Sequence, residues 1–476
     1  MTFFKQSATP PTPGGYRELW RSAAPLIFSM GAYTVMLFCD RVFLSRYSSI
    51  SIQAALPAGV LAHTLVCLFQ AVAGYSGTFV AHYYGAKKPD QCVHASVQGL
   101  WTALASWPII LLLLPLGIWI ISLCNHAPEV FAEEKVYFTI LTATSVVVPL
   151  NAAAGGYFIG VSRTEINLLA NVLGCILNTI LTYAMVFGRL GLPEMGIRGA
   201  AWATAISALT TFILLMALFF RTEAVKKYAL AKSNPGKQGA HAVWLIWRPD
   251  WPLLKRILRF GIPSGVQMVM DLGSFSLFIM LTGSMGAVAL AASNITLSIN
   301  HLAFAPLLGI GMAASTLVGQ HQGAGNTPAA ERIGWTALRM GLIYMTLIGL
   351  TFILFPHEYF RLFSPNNATF TPEELLSIGR KMLIMVTVWG LFDSVCIILS
   401  GALKGAGDTR FVMIYMAIGG WLFFVPGALL LVWCGYGILT LWSWMTLYVC
   451  LFAIGTCIRW WCGRWKRIRL IHHDTA

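Results

Sequence analysis

Charge is scarce in this chain. Of its 476 residues only 11% are Asp, Glu, Lys or Arg, against 57% hydrophobic ones, and a soluble domain cannot solvate its surface with so few ionic groups. Acidic residues are scarcer still, at 18. All but three lie in polar connections; Asp40, Asp271 and Asp393 alone interrupt long apolar stretches. The ten cysteines show no Cys-x-x-Cys or Cys/His ligand spacing, so free thiols and no metal cluster are expected. The signatures HExxH, GxSxG and GxxxxGK are missing too, so the chain does not read as an enzyme and no cofactor is expected. No repeated filter-like carbonyl loop suggests a channel. No cleavable signal is evident either: the first apolar stretch is long, follows Trp20 and lacks a processing site, so it reads as a retained first helix.

What the chain does have is apolar length. Mean hydropathy is +0.71, and about twelve stretches, from 20–44 to 437–462, reach the roughly 20 residues a helix needs to cross the hydrocarbon layer. Continuous apolar runs exclude a β-barrel, whose strands alternate with period two. An all-α membrane protein of twelve transmembrane helices follows. The net charge of +14 follows loop parity rather than forming a basic domain, which argues against nucleic acid. With the N-terminus taken as cytoplasmic, 24 of the 32 Lys and Arg residues fall on the same side, so the positive-inside rule places both termini in the cytoplasm.

The chain is written twice. A shift of 238 residues lays Pro25 on Pro263, His63 on His301, and Phe79-Val-Ala-His-Tyr-Tyr-Gly-Ala86 on Leu317-Val-Gly-Gln-His-Gln-Gly-Ala324. A shift of 245 lays Gly156–Thr164 on Gly401–Thr409. Six spans per repeat is an even number, so both halves insert the same way, related by an axis along the membrane normal, with a central cleft between two six-helix lobes. The expected division is a cytoplasmic N-terminal tail at 1–15, an N-terminal lobe at 16–220, a cytoplasmic linker at 221–259, a C-terminal lobe at 260–463 and a cytoplasmic tail at 464–476. Asn234-Pro-Gly236 marks the linker as polar and turn-rich. Its second part, with Trp244, Trp247 and Trp251, reads either as an amphipathic stretch on the membrane surface or as a plain tether. The Arg459–Arg469 segment mixes tryptophans and cations where headgroups are expected, an interfacial anchor.

Short glycine-bearing turns recur between apolar helices: Tyr84–Asp90, Gln322–Asn326 and Leu403–Arg410. With Leu192-Pro-Glu-Met-Gly-Ile-Arg-Gly-Ala-Ala-Trp-Ala-Thr204, and in this order, they resemble the multidrug and toxic compound extrusion (MATE) family over nearly the whole chain, closest to its NorM-type branch. The resemblance implies an antiporter of a bacterial inner membrane that exports organic, cationic drugs or toxins in exchange for H+ or Na+. Asp40 is similar to the family's first-helix aspartate, assigned to cation coupling. Asp271 stands where the seventh-helix acid of the NorM-type branch stands, there usually Glu, and Asp393 matches that branch's tenth-helix aspartate. The Gly405-Ala-Gly-Asp408 turn is closer to other branches, and Asn171 and Asn178 replace a closely spaced polar pair. The alternative within the same superfamily is a lipid-linked oligosaccharide flippase, whose cavity would carry basic residues; here Lys and Arg sit at span ends. Lipids and small-molecule drugs are the expected partners, and a monomer the expected state.

Charge at depth is the physical core of this reading. A carboxylate at the bilayer centre costs at least about 2.5 kcal/mol, so it faces a partner or a watery cavity. At about 1.5 Å per residue, Asp271 lies roughly 18 Å beyond Arg259 and Asp393 roughly 16 Å before Lys404, so the two are level. If adjacent they repel when both are charged, which makes a site for H+ or Na+. Gln267, one turn before Asp271, shares that face. Asp40 belongs nearer the outer end of the first helix, where a rim ion pair with Arg41 or Arg46 is the structural alternative. For Asp271 and Asp393 the alternative is a hydrogen bond to a hydroxyl on another helix. The repeat-related His63 and His301 are candidate proton relays, although a lone helical histidine is more often a hydrogen-bonded packing residue. Asn178 and Asn294 are candidates for the cleft or for polar glue between helices. Met30, Tyr33 and Phe392 suit a pliable lining for flat cations, with ordinary packing as the alternative. Pro25 and Pro263 read as tolerated kinks or as hinges.

Overall fold

The computed structural model describes residues 12–124, 126–222, 225, 247–363 and 372–471. It contains eleven helices long and apolar enough to span a membrane, and a twelfth span if one bent pair is counted as a unit. In the N-terminal lobe these are α1 (Tyr16–Tyr47), α2 (Ser49–Gly74) running on into α3 (Ser76–Gly85), α4 (Pro89–Leu123), the bent pair α5 (Pro128–Ala143) and α6 (Val147–Gly160), α7 (Thr164–Phe187) and α8 (Ile197–Phe220). The C-terminal lobe repeats the plan with α9 (Trp251–Ser284), α10 (Ala287–Gly323), α11 (Thr327–Leu354), the short α12 (Pro356–Phe363), α13 (Pro372–Gly405), then α14 (Thr409–Met416) joined through π-helical residues 417–424 to α15 (Val425–Trp433), and α16 (Ile438–Trp461).

Local chemistry sets the boundaries. Ser48 accepts from the Ile50 amide to start α2, Asn326 from that of Ala329 to start α11, and Gly188 ends α7 at φ +64°, a left-handed value that favours glycine. The expected fourth span, 137–160, is present but broken by 41°. Pro149 explains the break: it cannot donate to the Ser145 carbonyl four residues back, which accepts from the Val148 amide instead. The corresponding helix of the second repeat, α13, has no proline between residues 376 and 405 and runs unbroken. Pro25 and Pro263 lie inside α1 and α9 rather than in their first turns, yet both helices continue through them.

Two boundaries differ from the sequence reading. The C-terminal lobe begins at Trp251, before residue 260, because Asp250 caps the helix through the Leu253 amide at 3.2 Å and Pro252 follows in its first turn. The end of the linker, residues 247–250, is fastened to α4. Trp101 Nε1 donates to the Trp247 carbonyl at 2.7 Å, Gln98 Nε2 to that of Arg248 at 3.1 Å, and Gln98 Oε1 accepts from the Asp250 amide. Asn234–Gly236 and Trp244 lie outside the described residues. After α16, a 3-10 turn (Arg464–Arg467) leads into packed chain: Trp465, Leu470 and Ile471 are all buried. Residues 472–476 of the expected tail lie outside the described residues.

The lobes meet in matching pairs, α1 against α10 and α2 against α9, with α3 also packed on α10. Each lobe has its own apolar core.

Candidate functional site

The three membrane-depth carboxylates fall into two sites. Asp40 is half-buried on α1 and turns toward α7. With its amide oriented to satisfy its neighbours, Asn178 donates to Asp40 Oδ1 at 3.1 Å and Oδ2 at 3.3 Å, and its other end is 3.4 Å from Thr204 Oγ1 on α8. Thr182, one turn after Asn178, lies close to the carboxylate, and its Oγ1 makes no hydrogen bond among the described residues. Tyr33 and Cys175 lie within its electrostatic reach, as does Tyr137 from α5. The rim ion pair is absent: neither Arg41 nor Arg46 pairs with Asp40 among the described residues. The i, i+4 spacing of Asn178 and Thr182 puts both on one helical face, which is why α7 can supply two groups to one carboxylate. Beside it an apolar hollow of about 350 Å³ opens between α1 and α7, lined by Val35, Met36, Cys39, Cys175 and Ile176 among others.

The second site brings Asp271 of α9 and Asp393 of α13 within electrostatic reach of each other. Tyr448 of α16 is close to both, with its hydroxyl 2.9 Å from Met416 Sδ. Asp393 is half-buried and Asp271 exposed. Lys404, half-buried in the last turn of α13, lies within electrostatic reach of Asp271. It forms no ion pair with it. A long flexible stem lets a lysine near a helix end reach inward as readily as outward. None of the three aspartates forms an ion pair among the described residues.

Other sequence candidates are placed differently. Gln267 is buried and its Oε1 has no partner among the described residues. Asn294 is exposed, with no side-chain bond to either site. Met30 is half-buried, and Phe392 packs against the C-terminal core. His63 and His301 are both exposed and make no side-chain hydrogen bond among the described residues; His301 lies within electrostatic reach of Arg41. Thr182, Thr204, Tyr137, Tyr448 and Lys404 were missed by the sequence reading. Only Thr182 carried a signal, its spacing from Asn178.

The end that bears both termini is closed. His82 Nε2 lies 2.8 Å from the Gly405 carbonyl, Tyr75 donates to that of Lys404 at 2.8 Å, and Gln320 Nε2 donates to that of Gly160 at 2.7 Å. His321 Nε2 is 3.0 Å from Glu18 Oε1, and Thr336 donates to the Gly14 carbonyl. A Cβ on Gly85 would collide with the Gln320 carbonyl, and one on Gly323 with that of His82. Among the described residues, the side-chain hydrogen bonds that join the lobes all lie at this end. The cleft is therefore shut on the terminal side.

Known proteins share the sequence and the fold. The MatE family model matches residues 25–184 and 263–430. The chain is 25% identical over 447 residues to the probable multidrug resistance protein NorM of Brucella suis biovar 1 (strain 1330), covering 92% of this chain and 90% of that protein. It is 27% identical over 467 residues to the probable multidrug resistance protein NorM of Pseudomonas aeruginosa, covering 97% and 91%. Its fold is like that of a MOP superfamily transporter from Pyrococcus furiosus, with a TM-score of 0.82, 18% identity and coverage of 96% and 98%. An outward-facing multidrug resistance MATE family transporter also scores 0.82, at 19% identity, with coverage of 95% and 97%.

Proposed function

From the premise that this chain belongs to the MatE family, whose members are multi-pass membrane transporters and not enzymes, we propose that it is a multidrug exporter driven by an inward flow of H+ or Na+. The observation that carries this reading is the set of three aspartates at membrane depth with no ion-pair partner among the described residues. Such groups are tolerable where a mobile cation visits them. Asp40, held by Asn178, and the Asp271–Asp393 pair would each take the coupling ion. An organic cation needs the same negative charge, so loading one species favours the state that releases the other. Among the described residues, Lys404 is the one basic group that acts electrostatically on any of the three carboxylates, an acidic balance that suits cationic drugs better than the pyrophosphate of a lipid-linked sugar.

With both termini cytoplasmic in a bacterial inner membrane, the closed terminal end corresponds to an outward-open state. The bacterial relatives and the side preference of Lys and Arg support that placement. The test is efflux of a fluorescent organic cation from proteoliposomes under an imposed proton or sodium gradient. Efflux that follows one gradient supports the antiporter; efflux indifferent to both overturns it.

A further inference from the structure

Past the last helix, the chain turns back along the closed end with two unlike faces. Gly463, at φ +66°, makes the turn. From there Trp465, Leu470 and Ile471 point inward and are buried, while Arg464, Lys466, Arg467 and Arg469 are exposed. The inward face joins the lobes: Gln322 of α10 donates to the carbonyls of Trp465 and Ile468 at 3.3 and 2.8 Å. Leu470 and Ile471 then enter the apolar cluster of the N-terminal lobe that holds Tyr75, Phe79 and Tyr83. By Ile471 the chain has thus crossed from one lobe to the other, over the seam that must part for the terminal end to open.

The outward face is a concavity of about 480 Å³ lined by Trp461, Cys462, Gly463, Arg464, Lys466 and Arg467. Lys466 is neutralised by Glu331 at 2.7 Å. Arg464, Arg467 and Arg469 have no acidic partner among the described residues. Trp461, 77% exposed, closes one side. Two unneutralised guanidinium groups, Arg464 and Arg467, line the concavity with an indole, with the exposed Arg469 two residues further on; at the depth where a membrane-spanning helix ends they match a phosphate ester at the headgroup level, the planar forks binding its oxygens and the ring sitting at the interface.

We propose that this turn binds the phosphate headgroup of an anionic phospholipid in the leaflet on the terminal side, and that the bound lipid, by fixing the strap, favours the closed terminal end. The claim rests on the reading of the lobes as alternating between two states, so its test reads lobe separation rather than efflux. Spin-label pairs across the terminal end would be measured in nanodiscs of phosphatidylcholine alone and with phosphatidylglycerol added. The lipid is expected to raise the closed-to-open ratio by about fivefold or more, the low end of couplings between distant sites. Arg464→Gln/Arg467→Gln/Arg469→Gln, all on the surface, should remove the response and retain less phosphatidylglycerol on purification. Leu470→Ala/Ile471→Ala should keep the bound lipid and lose the response. Wild-type lobes indifferent to the lipid, an undiminished response in the arginine variant, or the same shift with inorganic phosphate in phosphatidylcholine would each overturn the proposal. Failed efflux with an intact lipid response would instead count against the transport reading alone.

Discussion

His82 Nε2 lies 2.8 Å from the carbonyl oxygen of Gly405. In the opposite direction Gln320, which occupies the position of His82 in the second repeat, donates to the carbonyl of Gly160, the repeat counterpart of Gly405, at 2.7 Å. Each lobe thus satisfies the same helix-end carbonyl of the other, with a histidine on one side and a glutamine on the other.

That pairing makes a substitution test specific. His82 is 2% exposed, and removing its ring leaves the Gly405 carbonyl without this partner at a cost of about 1–3 kcal/mol. His82→Ala is expected to shift the lobes away from closure at the terminal end, as seen by spin-label distances, whereas His82→Gln, copying the other repeat, should stay near wild type.

The glycines behind this contact are constrained by approach rather than by turn geometry. Gly85→Ala and Gly323→Ala each drive a methyl group into backbone of the opposite lobe, a misfit of about 1–3 kcal/mol. Each should widen the terminal end and lower the melting temperature; unchanged distances in both would show that the lobes do not rely on this contact.

Asp40→Asn keeps the shape of the side chain and loses its charge. Efflux driven by the ion gradient is expected to fall by at least about tenfold, the scale of a group acting in the coupled step, with normal yield and elution of folded protein. Asn178→Ala should weaken efflux less, because the charge of Asp40 remains and only its amide donor is lost.

Asp271 and Asp393 should behave as one unit. Asp393→Asn is expected to lower efflux strongly, to a residual still measurable above background, and Asp271→Asn to lower it less; the double variant should be little worse than Asp393→Asn alone, since coupled groups are not additive. A multiplicative loss in that cycle would mean that the two act separately.

A structural ion pair gives the contrasting case. Asp408, 5% exposed, meets Arg459 at 2.7 and 3.2 Å, and the guanidinium also lies over the Phe411 ring at 4.6 Å. Arg459→Ala strands a buried carboxylate, an effect of about 3–5 kcal/mol, so thermal unfolding in detergent should move down by several degrees.

Much of this arrangement could be read along the chain, and the part that could not has a common cause. Helical rise alone set Asp271 and Asp393 at one depth, and repeat shifts of 238 and 245 residues located the helix ends that clamp each other. Depth and repeat order are properties of spacing. Which way a helix faces is not: Asn178 rather than Arg41 meets Asp40 because α7 packs on α1 with that face inward. Tyr137 and Tyr448 arrive from segments remote in sequence, and Lys404 folds inward from a helix end that looked like a topology marker. The break at 144–146 was legible in Pro149 but was read as part of one continuous span.

The anchoring of residues 247–250 to α4 bears on how the halves can move. In the proposed exchange between two states, a corner riveted there would act as a fulcrum, so that the second half would rock instead of swinging on a leash. From that corner α9 extends 34 residues, roughly 50 Å at about 1.5 Å each, so a tilt of about ten degrees displaces its far tip by roughly 9 Å.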